Sequence, residues 1–282
     1  MICTTPVVCC ANTGSSLRTD PFPDDALTCD DFLGGAVRLL QPRDGYRAGA
    51  DPVLLAASVP AVAGDAVLEL GCGAGAALAC LGARVPGIEA TGVEMMPAYA
   101  DLARRNLAGA GISGTVHCAD LRTLPPEVKS RRFNHVIANP PYFENLRGVT
   151  ATAPDRAASR AGEIPLSKWV TSASKRLLPG GVATFIQRVD RLPELMSAFH
   201  ASLGAIELWP IQPRSKRPAR LFLLRGRKNA RAAFVSHPAL VLHCGDTHER
   251  DGDSYTQQVS KVLRSPAPLP FPDTKPDQKR QG

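Results

Sequence analysis

The chain has 282 residues, of which 21% are charged and 44% hydrophobic, the profile of a globular protein with one large domain or two small ones. No uninterrupted apolar run reaches the roughly 18–20 residues a membrane helix needs, and the richest stretch, DPVLLAASVPAVAGDAVLEL, is broken by Pro60, Gly64 and Asp65. The net charge of +7 is concentrated in PRSKRPARLFLLRGRKNAR, where Arg214 to Arg231 include no acidic residue, so the segment reads as a polyanion contact or as a solvated basic surface.

The N-terminus, MICTTPVVCCANTGSS, has neither a basic leader nor a sustained apolar core and does not read as a secretory signal. The eight cysteines are scattered, and the adjacent Cys9 and Cys10 have no matching CxxC or histidine pair. The expectation is a cytoplasmic protein with reduced thiols and no metal site, with Cys72, Cys80 and Cys118 inside buried elements. Residues 1–30 are rich in Pro, Thr, Ser and Asp without periodicity and are expected to be a disordered extension. The proline-rich segment 265–282 reads the same way, leaving 31–264 as the folded domain.

Within that domain strand-like and helix-like segments take turns. AVLEL (66–70) is a short buried strand, AALACLGARV (76–85) a helix of small residues, and IEATGVE (88–94) a second strand. PAYADLARRNLAGA (97–110) is a helix with Pro97 in its first turn, where the missing N–H costs nothing. GTVHCAD (114–120) and FNHVIA (133–138) follow as strands, and SKWVTSASKRLL (167–178) is an amphipathic helix stopped by Pro179-Gly180-Gly181. GVATFIQ (181–187), the helix RLPELMSAFHASL (191–203) and the strands AIELWPI and ARLFLLRG complete the set. Alternation of this kind predicts a doubly wound α/β fold with a mostly parallel sheet. The last two strands have no helix between them and predict an antiparallel hairpin at one edge.

Ligands in such folds bind beyond the carboxyl ends of the strands. The first strand runs into VLELGCGAGAA, where Gly71, Gly73 and Gly75 allow a tight turn and close approach to a ligand. The run also satisfies a loose dinucleotide pattern, with Glu94 at the spacing of its ribose acid. Electrostatics favours another ligand. Glu69, two residues before the turn, opposes a pyrophosphate and suits S-adenosylmethionine, which carries a sulfonium and an ammonium and no phosphate. Glu94 is then placed to accept from both ribose hydroxyls. Asp120 is a candidate acceptor for the adenine amino group, or else a helix cap. In GYRAGADPVLLAA (45–57), Asp51 reads as an N-cap with Pro52 at the first helical position, and Tyr46 and Asp51 are candidates near the methionine moiety.

FNHVIA ends in Asn139-Pro140-Pro141-Tyr142. An amino group conjugated to a ring or a carbonyl is planar and a poor nucleophile; acceptors aimed at its hydrogens favour the tetrahedral geometry needed for attack. The side-chain oxygen of Asn139 and the carbonyl of Pro140 are two such acceptors, their directions restricted by the prolines. Tyr142 offers a face on which a base can stack. The alternative is a Pro-Pro strand terminator. The long segment that follows, to residue 165, has no obvious element and carries Arg147, Arg156 and Arg160; it reads as a lid or as a solvent loop.

VLELGCGAG, GVE, CAD and NPPYF, in this order, resemble the class I amino-methyltransferases. With GYRAGADPVLLAA upstream and QPRSKRPARLFLLRGRK downstream, residues 30–264 resemble the bacterial valine-tRNA adenine-N6 methyltransferase family, which modifies the adenine next to the anticodon. The resemblance implies a Rossmann-like, seven-stranded fold, S-adenosylmethionine as cofactor and tRNA as partner through the basic segment, in a protein expected to be a monomer. It also implies that Gly71, Gly73 and Gly75 line the cofactor, Glu94 holds its ribose and Asp120 its adenine, with Asn139 to Tyr142 on the target base. Competing readings are a glutamine-amide methyltransferase acting on a release factor, an rRNA or DNA amino-methyltransferase, and a non-catalytic RNA-binding protein.

Overall fold

The computed structural model describes residues 20–142, 164–245 and 254–273. Its centre is a sheet in which β3 (Ala66–Leu70) lies between β4 (Glu89–Glu94) and β6 (Phe133–Ala138), with β5 (Gly114–Cys118) outside β4 and β7 (Leu177–Arg188) outside β6, all parallel. Next come β9 (Leu221–Arg227), antiparallel to β7, and β8 (Gly204–Gln212), antiparallel to β9. These are the seven strands expected. The β8–β9 hairpin is not itself the edge: two-residue strands β10 (Val235–Ser236) and β11 (Leu240–Val241) pair in parallel with β8 and cover it.

Burial on both faces explains the near-continuous apolar runs. One face carries α1 (Ala50–Ser58), α2 (Ala76–Arg84) and α3 (Pro97–Gly109), whose buried side chains meet Val67, Val116, Ile137 and Ile186 of the strands. The other carries α4 (Pro126–Ser130), α5 (Leu166–Arg176) and α6 (Leu192–Ser202) against Leu68, Val136 and Phe185. Neighbours in sequence, such as Val67 and Leu68, thus serve opposite layers, as the period of a strand requires.

The folded body exceeds both expected limits. A separate antiparallel pair, β1 (Leu27–Phe32) and β2 (Val37–Pro42), begins inside the segment expected to be unstructured, and the Phe22 ring meets Tyr99 edge-on with centroids 5.2 Å apart. The segment looked unstructured because LTCDDF buries only one side chain fully; its polar side faces water. At the other end α7 (Gln257–Arg264) leads into a proline-rich run that is packed down, not free. Ala267, Leu269 and Phe271 are buried, the Leu269 N–H bonds the Ala57 carbonyl at 2.8 Å, and Phe271 lies against Trp209 and under the Arg225 guanidinium. Cys72 and Cys80 are buried as expected, but Cys118 is exposed, because it ends edge strand β5. No helix among the described residues is long and apolar enough to cross a membrane.

The chain leaves β3 for β4 on one side and returns to β6 on the other, so the sheet has its switch point between β3 and β6. The glycine turn and Asn139-Pro140-Pro141-Tyr142 leave these two strands at the same end, which is where a crevice is expected.

Candidate active site

A cavity of about 630 Å³ opens at this switch point, lined by Glu69, Gly71, Gly73 and Glu94 on one side and by Asn139 to Tyr142 on the other. Gly71 has φ +65°, and a Cβ there would stand 2.5 Å from the Trp169 ring, so the turn that opens the cavity tolerates no side chain. Gly75 is the left-handed N-cap of α2, packed against Ala103, and does not itself line the cavity. Asn106, buried in α3, stitches the turn in place: its amide donates to the carbonyls of Ala74 and Leu40, each at 2.9 Å, and its oxygen accepts from the Leu40 N–H at 2.8 Å.

Two carboxylates face this half of the cavity. Glu94 accepts from the backbone N–H of Gly73 at 2.9 Å and of Met96 at 2.8 Å. Burial raises its pKa, and those N–H groups oppose the rise. Glu69 is only 3% exposed; burial pushes its carboxyl well above the usual range, the Leu78 N–H at 3.3 Å opposes, and the Glu94 charge adds to the rise. Where these acids ionise, their charge beside the glycine turn disfavours a pyrophosphate and favours a cation.

On the far side, Asn139 Oδ1 is buried and has no hydrogen-bond partner among the described residues. An unpaired buried acceptor is costly in a resting protein and points to a donor that arrives with a ligand. Pro140 presents its carbonyl to the side-chain amide of Gln187, which donates at 3.1 Å. Tyr142 donates from its hydroxyl to Asp51 at 2.8 Å. Asp51 is therefore not an N-cap: α1 starts at Ala50 with Gly49 as its cap, and Asp51 sits in the first turn behind Tyr142, outside the cavity lining. Tyr46 does line the cavity, 57% exposed, with its backbone held by the Tyr99 hydroxyl through bonds of 3.0 and 3.2 Å.

Asp120 joins Gly75 and Asp51 outside the lining. It does not line the cavity; it caps the short turn Leu121–Thr123 by accepting from the Arg122 N–H at 2.7 Å and pairs with the Arg122 guanidinium at 2.5 Å. Burial pushes its carboxyl up, and the bonds and charge of Arg122 outweigh this, leaving it below its usual value. Its neighbours Ala119 and Leu121 line the wall instead.

The basic segment divides as well. Arg214 is buried and donates to the carbonyls of Cys244 and Gly245, and Arg225 pairs with Glu207 at 2.8 Å. Arg227 and Lys228, at the far end of β9, bond Gly180 and Ser174. Lys216, Arg217 and Arg220, exposed in the β8–β9 connection, lie at the same end of the sheet as the cavity. Arg147, Arg156 and Arg160 are outside the described residues. Sequence reasoning missed Gln187, Arg188, Arg191 and Trp169; the available signal was the glutamine ending GVATFIQ, a strand apolar but for Thr184.

Residues 67–153 match a methyltransferase-domain family. A tRNA1(Val) (adenine(37)-N6)-methyltransferase of Porphyromonas gingivalis is 32% identical over 160 residues, 53% of this chain and 61% of the relative, so the chain spans about three fifths of that relative's length. One of the same description from Vibrio campbellii is 24% identical over 218 residues, covering 76% of this chain and 88% of the relative. The crystal structure of a predicted O-methyltransferase from Agrobacterium tumefaciens superposes with a TM-score of 0.62 at 26% identity, over 78% of this chain and 99% of that one. The chain thus has a Rossmann-like fold, matches a methyltransferase-domain family over residues 67–153, and is similar to proteins described as tRNA1(Val) (adenine(37)-N6)-methyltransferases.

Proposed function

We propose that the protein transfers a methyl group from S-adenosylmethionine to the exocyclic N6 of an adenine in tRNA. The observation that carries this reading is the buried Oδ1 of Asn139, unpartnered among the described residues, in a wall of the same cavity as Glu69 and Glu94. Gly71 and Gly73 would border the methyl donor, Glu94 would accept from its ribose hydroxyls, and Glu69 would complement its positive charge. When bound, S-adenosylmethionine supplies a sulfonium-activated methyl group and leaves as a neutral thioether.

The protein's own residues make the amine reactive. Asn139 Oδ1 accepts one N–H of the adenine amino group; the Pro140 carbonyl, with one lone pair taken by Gln187, accepts the other through its second. Both acceptors pull the nitrogen out of conjugation and stabilise the positive charge that grows on it as the N–C bond forms. Asparagine is neutral and does not take the proton, which passes to water. Tyr142, fixed through Asp51, supports the base by stacking. The names of the curated relatives support RNA over a protein amide as the amine's source.

Purified protein given labelled methyl donor is expected to label tRNA, with N6-methyladenosine as the product in nucleoside mass spectrometry. Labelling confined to a release factor would transfer the same chemistry to a glutamine amide.

A further inference from the structure

We infer that Arg188 and Arg191 form a phosphate-binding rim that grips the phosphodiester beside the nucleotide whose base enters the cavity. This rests on the proposed function and gives its substrate a backbone contact. Strands β6 and β7 run in register, with Ala138 opposite Phe185, so Pro140 and Pro141 emerge alongside Gln187 and Arg188. The 3.1 Å bond from Gln187 to the Pro140 carbonyl fixes the two exits together. Arg188 and, one turn later, Arg191 line the same cavity as Asn139 and Tyr142.

The pairing of Arg188 leaves its guanidinium exchangeable, and Arg191 adds its charge beside it. Arg191 is held by Glu194 through Nε at 3.2 Å and Nη2 at 2.9 Å, whereas Arg188 pairs with Asp190 at 3.3 Å, the two side chains 41% and 53% exposed. Solvent-facing pairs of this kind are weak, while a phosphate offers a guanidinium a stronger, forked partner. The cavity's polarity sets the direction of entry. Glu69 and Glu94 disfavour phosphates in one half as they ionise, so a base attached to a polyanion keeps its backbone on the arginine side. The rim also continues outward: the Val189 N–H bonds the Arg220 carbonyl at 3.0 Å, joining it to the connection that exposes Lys216, Arg217 and Arg220. A small-molecule or peptide acceptor would make no use of such a track.

The test uses the full chain and a synthetic RNA stem-loop containing the adenosine methylated in tRNA. Arg188→Ala and Arg191→Ala are each expected to raise KM for the RNA about tenfold, leaving kcat and donor affinity in place. Each should also lower the slope of log affinity against log salt by roughly 0.7, one phosphate contact on a single strand. Arg188→Lys and Arg191→Lys should keep the slope. Replacing the 5′ or the 3′ phosphate of the target nucleotide with a neutral methylphosphonate should, at the gripped position, cost the unaltered protein the same factor and make the alanine changes harmless. An unchanged slope and KM, or losses that multiply at both linkages, would overturn the rim. A matching loss of donor affinity would assign the arginines to the donor's carboxylate instead. No methylation of any RNA by the unaltered protein would defeat the proposed function itself, and the rim with it.

Discussion

The side chain of Gln187 joins the end of one strand to the chemistry of the next: its amide donates to the Pro140 carbonyl at 3.1 Å, and its oxygen accepts from the Arg188 N–H at 2.8 Å. Gln187 is fully buried in β7, so both bonds are made away from water. Gln187→Leu is expected to leave a buried carbonyl without its donor, at about 1–3 kcal/mol of stability. With the carbonyl no longer held in direction, kcat should drop roughly tenfold to a hundredfold by the barrier arithmetic. Donor affinity should remain near that of the parent, because Gln187 is absent from the cavity lining. Steady-state kinetics beside donor titration would separate the effects; a loss confined to donor binding would contradict the assignment.

Asn139 invites the opposite relation between stability and activity. Its Oδ1 has no donor among the described residues, so Asn139→Ala removes a desolvated group that none of them satisfies. The melting temperature is expected to hold or rise, while turnover falls by about two or more orders of magnitude, the scale at which a single aimed hydrogen-bonding group acts. Thermal melts paired with single-turnover assays decide this. A destabilised variant with intact turnover would mean that the asparagine is structural.

Much of this frame was legible in the sequence because its central strands are short, buried and end in residues with unusual chemistry. AVLEL runs into Gly71, EATGVE ends in Glu94, and FNHVIA runs into Asn139, and each is found at the expected strand end. What escaped notice depended on contacts between distant segments. Residues 27–42 form a hairpin because α3 supplies Asn106 and Tyr99 as partners, which LTCDDF by itself does not announce. Ala267, Leu269 and Phe271 do alternate, but among prolines that pattern resembles a solvated linker until Trp209 and Arg225 supply a surface. Asp120 ended its segment as Glu94 did, yet an arginine two residues away claimed it as a cap.

The packed C-terminal run should be measurable as stability. Phe271 is 5% exposed, in contact with Trp209 and beneath Arg225 at 4.1 Å from its ring centre. Phe271→Ala is expected to cost about 3–5 kcal/mol, as for other buried aromatic side chains. Chemical denaturation would read this directly. A change within error would return the segment to the status of a loose tail.

Glu69 gives a pH signature. Burial raises its folded pKa well above the ordinary 4.5, so its stabilising contribution is complete below that value and is lost as pH rises through the folded pKa. Glu69→Gln retains an oxygen for the Leu78 N–H and carries no charge. Its stability should match the parent's in acid and exceed it towards neutral and alkaline pH. Donor affinity should show the reverse: the parent binds the cationic donor more tightly as Glu69 ionises, and the variant stays flat. Melting curves and isothermal titrations across pH would reveal both trends, and parallel affinity profiles would remove Glu69 from the donor site.

Tyr142 separates a stacking face from a positioning hydroxyl. Its bond to Asp51, 2.8 Å long, ties the strand exit to the first turn of α1, and burial followed by the Asp51 charge keeps the phenol protonated at any working pH. Burial also raises Asp51, and the tyrosine hydroxyl opposes that rise. Tyr142→Phe keeps the ring and removes the opposition, so an acid limb in the pH–rate profile governed by Asp51 should move to higher pH, with a modest, severalfold loss of kcat/KM. Tyr142→Ala also loses the ring; stacking is worth about 1–3 kcal/mol per base, so affinity for the RNA should weaken by roughly tenfold to a hundredfold. If phenylalanine proved as damaging as alanine for RNA affinity, the hydroxyl and not the ring would be what holds the base.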